Sequence, residues 1–290
     1  MYKIGVIGTE NSHALAFAKI INQPDPISGE RLFPNAKIIG AYGPDKDTAQ
    51  AIVDQGGAEF VANSPDDFFG KVDAMMITNR KGSLHAGYAL PFIEKGLPIF
   101  IDKPFTSDVK EAEKLVEAAK KSGSIICGGS GCKLAYDVLT LKHNVRQGRD
   151  SIISASINFA ADTESEYDGF FFYSPHLTEM ALEIFGPDVK SVFTLEKAGS
   201  RISIWRYETF DVTLHYTKGG PVSSATIYTT AGNITRNIDI SMIYNLEVEQ
   251  FLKMLETKKM PYNYTNLVTP IRIIAAVEES AKTSKEVFIK

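Results

Sequence analysis

Cysteine is scarce in this sequence, and its scarcity excludes two kinds of stabilisation. The 290 residues include only two cysteines, Cys127 and Cys132, which form neither a CxxC nor a CxxxH metal pattern. Two cysteines so close together do not suggest a disulfide framework, so we expect a reducing, cytoplasmic setting and no metal site.

Long apolar runs are also missing. None reaches about 18 residues, the length of a membrane span, so we expect a soluble protein.

Positive charge is not in excess either. Lysine and arginine together number 31 against 35 acidic residues, which gives a formal net charge of -4. Because there is no basic run, we expect neither a nucleic acid nor a membrane surface as a partner, and a small polar substrate fits better. With 44% hydrophobic residues, the chain can bury one large core or two moderate ones, and we expect two domains.

The first half of the chain contains a regular alternation of strand and helix patterns. Strands are predicted at 4–7, 36–42, 58–61, 72–78, 97–101 and 125–127, and helices at 14–21, 45–55, 83–94 and 108–122. Residues 3–8 are predicted as a strand rather than a signal peptide. The alternation predicts an α/β fold, with a Rossmann-type doubly wound parallel sheet of about six strands over residues 1–127.

After residue 128 the pattern changes. We predict a helix at 134–147, strands at 152–160, 192–197, 202–205, 210–217 and 222–229, and a helix at 175–185 between the first two strands. Helices at 245–255 and 269–281 and a short strand at 286–289 complete the chain. This pattern predicts a second α/β domain, residues 128–290, with a large, mostly antiparallel open sheet for substrate binding and oligomerisation.

The most informative strand is LPIFIDKP, residues 97–104, which stops at an acid, a base and a proline. Proline cannot continue the hydrogen-bonding ladder, so Pro104 ends the strand and holds Lys103 near extended geometry. Asp102 and Lys103 then lie just past the carboxyl end of the strand, where ligands bind in open α/β sheets. A lone lysine there is by itself more often a solvated loop charge, so the other motifs must decide.

Only one glycine of the dinucleotide fingerprint G-x-G-x-x-G is present, because its three positions are Gly8, Glu10 and His13. The segment still has the outline of a strand-turn-helix phosphate site, with Asn11 or Ser12 as the helix N-cap. We predict that its residues contact the cofactor: Gly8, Thr9, Glu10, Asn11 and Ser12. A carboxylate at Glu10 should weaken pyrophosphate binding, and a turn without any ligand is the alternative.

Polar residues follow the next strands as well. The acid that usually binds the ribose is displaced to Asp45, and Lys46 could attract a phosphate, so NAD and NADP both remain open, with NAD preferred. Thr78 and Asn79 end the fourth strand beside the expected cofactor crevice. His85 is a further candidate for cofactor binding, and its alternative is a helix residue satisfied locally.

His176 opens the helix predicted at 175–185. The helix dipole disfavours the charged imidazole there, so a neutral ring able to accept a proton is expected. Tyr173 is a second catalytic candidate, and Glu179, one turn further on, would orient His176. A buried structural histidine is the alternative.

Together these motifs resemble the glucose-fructose oxidoreductase, inositol dehydrogenase and MocA-like (GFO/IDH/MocA) family over nearly the whole chain. The matching segments, in order, are GVIG at 5–8, Thr78-Asn79 with His85, GLPIFIDKP at 96–104, His176 with Glu179, and Phe251 with AAVEESAKTSKEV at 275–287. The run Asp102-Lys103-Pro104 is similar to the family's Glu-Lys-Pro. The chain is atypical, because Phe172 and Ser174 stand where the family commonly has an aspartate and a glycine.

The resemblance implies a Rossmann domain, an open-sheet C-terminal domain, NAD or NADP as cofactor, and oxidation of a sugar or polyol hydroxyl. Lys103 would supply positive charge and a hydrogen bond at the reacting oxygen, and His176 would accept the hydroxyl proton. Two other functions remain open: a non-catalytic binding or regulatory protein on a dehydrogenase scaffold, and an NAD-assisted lyase or hydrolase without net redox. We also expect a homo-oligomer, most simply a dimer formed through the second sheet.

Overall fold

The computed structural model describes residues 1–220 and 222–289. They divide into two compact units. The first consists of Met1–Thr106, Lys110–Gly129 and Tyr244–Tyr264. The second consists of Ser107–Val109, the described part of Ser130–Ile243, and the described residues from Thr265 onward.

The first unit is built on a parallel sheet of six strands in the order β3-β2-β1-β4-β5-β6. Its strands are β1 (Tyr2–Ile7), β2 (Ala36–Tyr42), β3 (Phe60–Val61), β4 (Ala74–Ile77), β5 (Ile99–Ile101) and β6 (Ile126–Gly128). The connecting helices are α1 (Ser12–Asn22), α2 (Lys46–Asp54), α3 (His85–Glu94) and α4 (Val109–Ser122). Every residue of β4 and β5 is buried, as expected for strands covered on both faces. The predicted doubly wound sheet is confirmed, and its switch point lies between β1 and β4.

A helix from late in the chain completes the first core. In α7 (Ile243–Thr257) the side chains of Val248, Phe251 and Leu255 are buried in the same apolar cluster as β1 and α1. Phe251 packs its ring 5.9 Å from that of Phe100 on β5. A division of the chain at residue 128 places this segment in the second domain, whereas the structure places Tyr244–Tyr264 in the first unit.

The second unit is built on a seven-stranded sheet in the order β12-β11-β7-β10-β9-β8-β13. Its strands are β7 (Ile152–Ala160), β8 (Ser191–Lys197), β9 (Ser200–Arg206), β10 (Asp211–Thr217), β11 (Ser224–Thr229), β12 (Gly232–Asn237) and β13 (Val287–Phe288). Among the described strands of this second sheet, only β10 and β7 pair in parallel, so the predicted, mostly antiparallel sheet is confirmed. Alternate residues of β7, β9 and β10 are buried, as in a sheet covered on one face.

Three helices belong to this unit: α5 (Tyr136–Gln147), α6 (Ser174–Phe185) and α8 (Thr265–Thr283). Strand β12 was not predicted, because five of its six residues are exposed and Ile234 is its only large apolar side chain. An edge strand of this kind carries no hydrophobic alternation for a pattern to detect. Within the described residues we find no helix with the length and apolar character that a membrane crossing requires.

Candidate functional site

The turn between β1 and α1 lies directly against the end of β4. Gly8 has a φ of +101°, and a Cβ on it would lie 2.3 Å from Asn79 N, so a side chain is excluded on two counts. Asn11 is the N-cap of α1 and accepts a hydrogen bond from His13 N. Its Nδ2 donates to Thr78 O at 2.8 Å and to Asp102 Oδ2 at 3.2 Å. One asparagine therefore joins the ends of β1, β4 and β5.

Asp102 is the centre of a buried polar cluster. Its side chain is fully buried, with His13 Nδ1 2.7 Å from Oδ2 and with Lys103 N donating to Oδ1 at 2.7 Å. Burial acts to raise the pKa of Asp102, but the charge and hydrogen bond of His13 and the neighbouring Lys103 lower it below the ordinary aspartate value. The acid before Lys103 is thus held ionised. The Lys103–Pro104 peptide that follows is cis.

His13 is a residue whose role the sequence did not reveal. It occupies the third glycine position of the fingerprint. From the sequence alone, a histidine there only weakened the match to the fingerprint. In the structure it pairs with Asp102, and its ring also packs edge-on against Phe17 and Tyr244, at centroid distances of 5.8 and 4.7 Å. A histidine at this position therefore links the turn to the end of β5.

Glu10 is directed toward the loop after β4. Its Oε1 accepts hydrogen bonds from Asn79 Nδ2 at 3.0 Å and from Arg80 N at 3.4 Å. The carboxylate is therefore tied to the end of β4. Glu10 Oε2 and Asn79 Oδ1 are buried, and neither has a hydrogen-bond partner in residues 1–220 and 222–289.

His85 ties together the loops that follow β4 and β5. The residue is fully buried, and its ring nitrogens lie 2.7 Å from Pro104 O and 2.8 Å from Asn79 O. Burial lowers the pKa of His85 below the ordinary histidine value, although the two carbonyls act in the opposite direction, because only a protonated ring donates to both. Both ring nitrogens are engaged by main chain, which is the geometry of a residue that positions the two loops.

Strand β2 ends at an aromatic residue, Tyr42, where the acid that binds the ribose is usual. Tyr42 lies 6.1 Å, ring to ring, from Tyr88 of α3, and burial together with Tyr42 raises the pKa of Tyr88. Asp45 is the exposed N-cap of α2 and accepts from Asp47 N. Thr9 Oγ1 lies 2.8 Å from the hydroxyl of Thr48 on the same helix.

These residues fit a dinucleotide. Helix α1 begins at the exposed Ser12 and has no acidic residue in its first turn, so its amide groups suit a pyrophosphate. The flat rings at the end of β2 suit an adenosine group, with Asp45 beyond them. The described part of the chain contains no group of three or more histidine, cysteine or acidic residues placed to hold a metal ion.

In the second unit, His176 is buried on the first turn of α6. Its Nδ1 lies 2.7 Å from Ser130 Oγ and 3.3 Å from Cys132 Sγ. The rings of Phe159 and Tyr173 are each 5.3 Å from the imidazole. Phe172 packs between Tyr167 and Tyr173, with ring distances of 4.9 and 4.8 Å. An aromatic cluster therefore occupies the position of the family's aspartate.

Glu179 lies beside His176 but contacts the segment after β6. Its Oε1 accepts from Ser130 N at 2.8 Å, and its Oε2 pairs with Lys133 Nζ at 2.8 Å in a buried ion pair. The sequence did not single out Ser130, Cys132 or Lys133. The available signal was their place directly after the carboxyl end of β6, where polar groups gather in sheets of this kind.

The structure joins most of the predicted cofactor residues in one network in the first unit, and Lys103 enters it through its main-chain nitrogen. That network contains Gly8, Glu10, Asn11, Thr78, Asn79, His85 and Asp102. Thr9 and Asp45 lie on the α2 side. His176 and Tyr173 are neighbours in the second unit. The catalytic and cofactor-binding roles of all these residues remain predictions.

Comparison with known proteins identifies the first domain. Residues 2–129 match the family model described as "Oxidoreductase family, NAD-binding Rossmann fold", of the GFO/IDH/MocA group. Over these residues the chain is similar to that family. The resemblance found in the sequence motifs is thereby confirmed.

Individual relatives agree with this assignment. Inositol 2-dehydrogenase 3 of Saccharopolyspora erythraea is 29% identical over 122 residues, which span 42% of this chain and 33% of that protein. The structure of GenD2 from gentamicin A biosynthesis in complex with NAD has a TM-score of 0.85 at 14% identity, covering 100% of this chain and 96% of that one. Scyllo-inositol dehydrogenase from Lactobacillus casei, with bound NAD(H) and scyllo-inositol, has a TM-score of 0.83 at 15% identity, covering 100% and 99%. At such identities the structural likeness shows the fold.

Proposed function

We propose that this protein is an NAD-dependent oxidoreductase that transfers a hydride between the cofactor and a CH–OH group of a sugar, polyol or related compound. The observation that carries the proposal is the cluster at Asp102. His13 and Asn11 bind that carboxylate from the dinucleotide turn, and the carboxylate in turn binds Lys103 N. The main chain of Lys103 and the proposed phosphate-binding turn are thus parts of one buried network in the first unit.

NAD would be held by the turn after β1 and by the ends of β2 and β4. The first turn of α1 would bind the pyrophosphate, Asn79 a ribose, and Tyr42 with Asp45 the adenosine end. When bound, NAD supplies the acceptor for the hydride. At the start of α2, Asp45 and Asp47 disfavour the extra phosphate of NADP and outnumber Lys46, which would attract it, and this supports NAD over NADP.

Lys103 and His176 would contact the reacting oxygen, with one donating and one accepting a hydrogen bond. Tyr173 would help to bind the substrate from its place beside His176. We place His85 among the positioning residues, because main-chain carbonyls engage both of its ring nitrogens. The inositol dehydrogenases among the relatives favour a cyclic polyol as substrate.

The first test is a thermal shift with NAD, NADH, NADP and NADPH. Ligand at 100 times its Kd stabilises a protein by about 2.7 kcal/mol, which is an easily measured increase in Tm. We expect stabilisation by NAD and NADH. If none of the four cofactors shifts the Tm, the non-catalytic alternative replaces the proposal.

The second part of the test is turnover with a panel of polyols and sugars that includes scyllo-inositol. Lys103→Met and His176→Ala should each lower kcat by about 10²-fold or more and leave the Kd for NAD nearly unchanged. The exposed residues Lys95 and His143 provide matched controls, as Lys95→Met and His143→Ala. Product formation without net NADH would indicate the lyase or hydrolase alternative.

We further propose a homodimer formed through the second sheet, and a reducing cytoplasmic setting. The setting is supported by the burial of both cysteine side chains, Cys127 and Cys132, outside any disulfide framework.

A further inference from the structure

The Nδ1 atom of His176 is bonded by a side chain that follows β6. Ser130 Oγ lies 2.7 Å from Nδ1, and Cys132 Sγ, a weaker hydrogen-bonding atom, lies 3.3 Å from it. The side chain of Phe172, four residues before His176, has no hydrogen-bonding group. Ser130 therefore supplies the short side-chain hydrogen bond to Nδ1.

The direction of this hydrogen bond follows from the other contacts of Ser130. The residue is fully buried, and its Oγ already accepts from Cys132 N at 3.2 Å. In the part of the chain that the structure describes, His176 Nδ1 is the one group besides Cys132 N that is hydrogen-bonded to Ser130 Oγ. If Nδ1 carried the hydrogen, the hydroxyl would be a buried donor without an acceptor, which native proteins avoid.

The Ser130 hydroxyl is held in place by the helix that carries His176. Ser130 N donates to Glu179 Oε1 at 2.8 Å, and Lys133 Nζ binds the other carboxylate oxygen at 2.8 Å. Glu179 lies three residues after His176 on α6. Helix α6 thus carries both the imidazole of His176 and the carboxylate that binds the main chain of Ser130. The positions of His176 and Ser130 relative to each other are therefore fixed.

We propose that Ser130 is a positioning residue that sets the tautomer of His176: its hydroxyl donates to Nδ1, and Nε2 therefore carries the ring hydrogen. His176 then offers a hydrogen-bond donor to an oxygen of the substrate. The substrate side of this inference rests on the proposed function. It changes the role of His176 from the expected proton acceptor to a hydrogen-bond donor. The hydroxyl proton would then pass to Lys103, whose amine would be neutral before the transfer and an ammonium group after it.

The tautomer is measured directly by ¹H–¹⁵N correlation NMR of the histidine side chains in the full-length protein without substrate. The signals of His176 are assigned by their loss in His176→Asn. We expect the hydrogen on Nε2 in the wild type and in Ser130→Thr, which keeps a hydroxyl, and a population with the hydrogen on Nδ1 in Ser130→Ala. A wild-type ring with its hydrogen on Nδ1 would overturn the proposal, whatever the stability of the variants.

Thr178→Val is the matched control, because it removes another buried hydroxyl of α6, one that bonds to Tyr216 OH at 3.0 Å. It should leave the His176 signals unchanged. With a substrate identified, Ser130→Ala should lower kcat about tenfold or more at an unchanged Kd for NAD, and Ser130→Thr should restore most of it. Equal kcat values in Ser130→Ala and Thr178→Val would contradict the positioning role.

The two proposals fail in different ways. A hydrogen on Nε2 in a protein that binds no dinucleotide and oxidises no polyol would support the tautomer and contradict the proposed function. A hydrogen on Nδ1 in an active dehydrogenase would contradict the tautomer alone.

Discussion

At the scale of single residues, the two replaced glycines of the fingerprint make contacts that glycine cannot make. Glu10 binds the loop after β4, and His13 binds Asp102 at the end of β5. Both residues fasten the turn to neighbouring strand ends. The sequence indicates that Glu10 would repel a pyrophosphate through its negative charge. It does not show that the same carboxylate binds the loop after β4.

The variant Glu10→Gln separates charge from attachment. Its amide oxygen can still accept from Asn79 Nδ2 and Arg80 N, while the negative charge near the pyrophosphate is removed. Removing a repulsion on the order of 1 kcal/mol should tighten NAD binding about fivefold, measured by isothermal titration calorimetry, with a smaller gain at high salt. Glu94→Gln, which changes an exposed acid at the end of α3, is the control.

Glu10→Gly is the contrasting variant, because it removes the charge and both hydrogen bonds together. It should bind NAD less tightly than Glu10→Gln. If Glu10→Gln binds NAD no better than the wild type, the carboxylate is not repelling the cofactor, and the charge argument for this turn is wrong.

The contacts that the sequence did not reveal join residues that are far apart in the chain. Asn11 and Asp102 are 91 positions apart, and Ser130 and His176 are 46 apart. Local patterns place a residue at a strand end but do not tell which other strand end its side chain meets. The sequence therefore identified Asp102, Lys103 and His176 as candidates and could not identify the partners that fix them.

At the scale of elements, hydrophobic periodicity was sufficient wherever an element has a buried face. Strand β7 was predicted with the bounds that the structure gives, Ile152–Ala160, and the helix predicted at 45–55 is α2, Lys46–Asp54. The periodicity of α7 likewise predicts a helix with an apolar face. It contains no information on which sheet that face covers, so the docking of α7 on the first core had to come from the structure.

Helix α7 should contribute substantially to the stability of the first unit. Phe251 is fully buried and packs against Phe100, so Phe251→Ala should lower the free energy of unfolding by about 3–5 kcal/mol. Glu249→Ala on the exposed side of the same helix should change it by less than about 0.5 kcal/mol. Urea denaturation measures both values.

Thermal shifts with NAD then show whether this loss belongs to the first unit. Saturating NAD should raise the Tm of Phe251→Ala toward that of the wild type without NAD, because the cofactor residues lie in the same unit. The variant must be folded at the starting temperature of the scan. A Phe251→Ala protein as stable as Glu249→Ala would mean that α7 does not pack as described.

At the scale of the whole molecule, the open face of the second sheet determines the expected assembly. Ile202 of β9 is paired directly with Leu195 of β8, and these side chains are 43% and 56% exposed. With strands about 4.8 Å apart and about 20 Å long, seven strands present a face of roughly 30 Å by 20 Å. Because side chains project from the sheet, the accessible area of this face is larger than that rectangle and comes near the roughly 800 Å² that each partner buries in a standard interface.

We therefore expect the wild-type protein to be a dimer with a two-fold axis through this face, because an isologous contact covers the same apolar residues on both copies. The double variant Leu195→Glu with Ile202→Glu should be monomeric in multi-angle light scattering at micromolar concentration, since it would bury paired like charges. Its affinity for NAD should be retained, because the cofactor residues belong to the first unit. Leu139→Glu, a similarly exposed leucine on α5, should leave the dimer intact. A monomeric wild type, or a double variant that stays dimeric, would show that this face is not the interface.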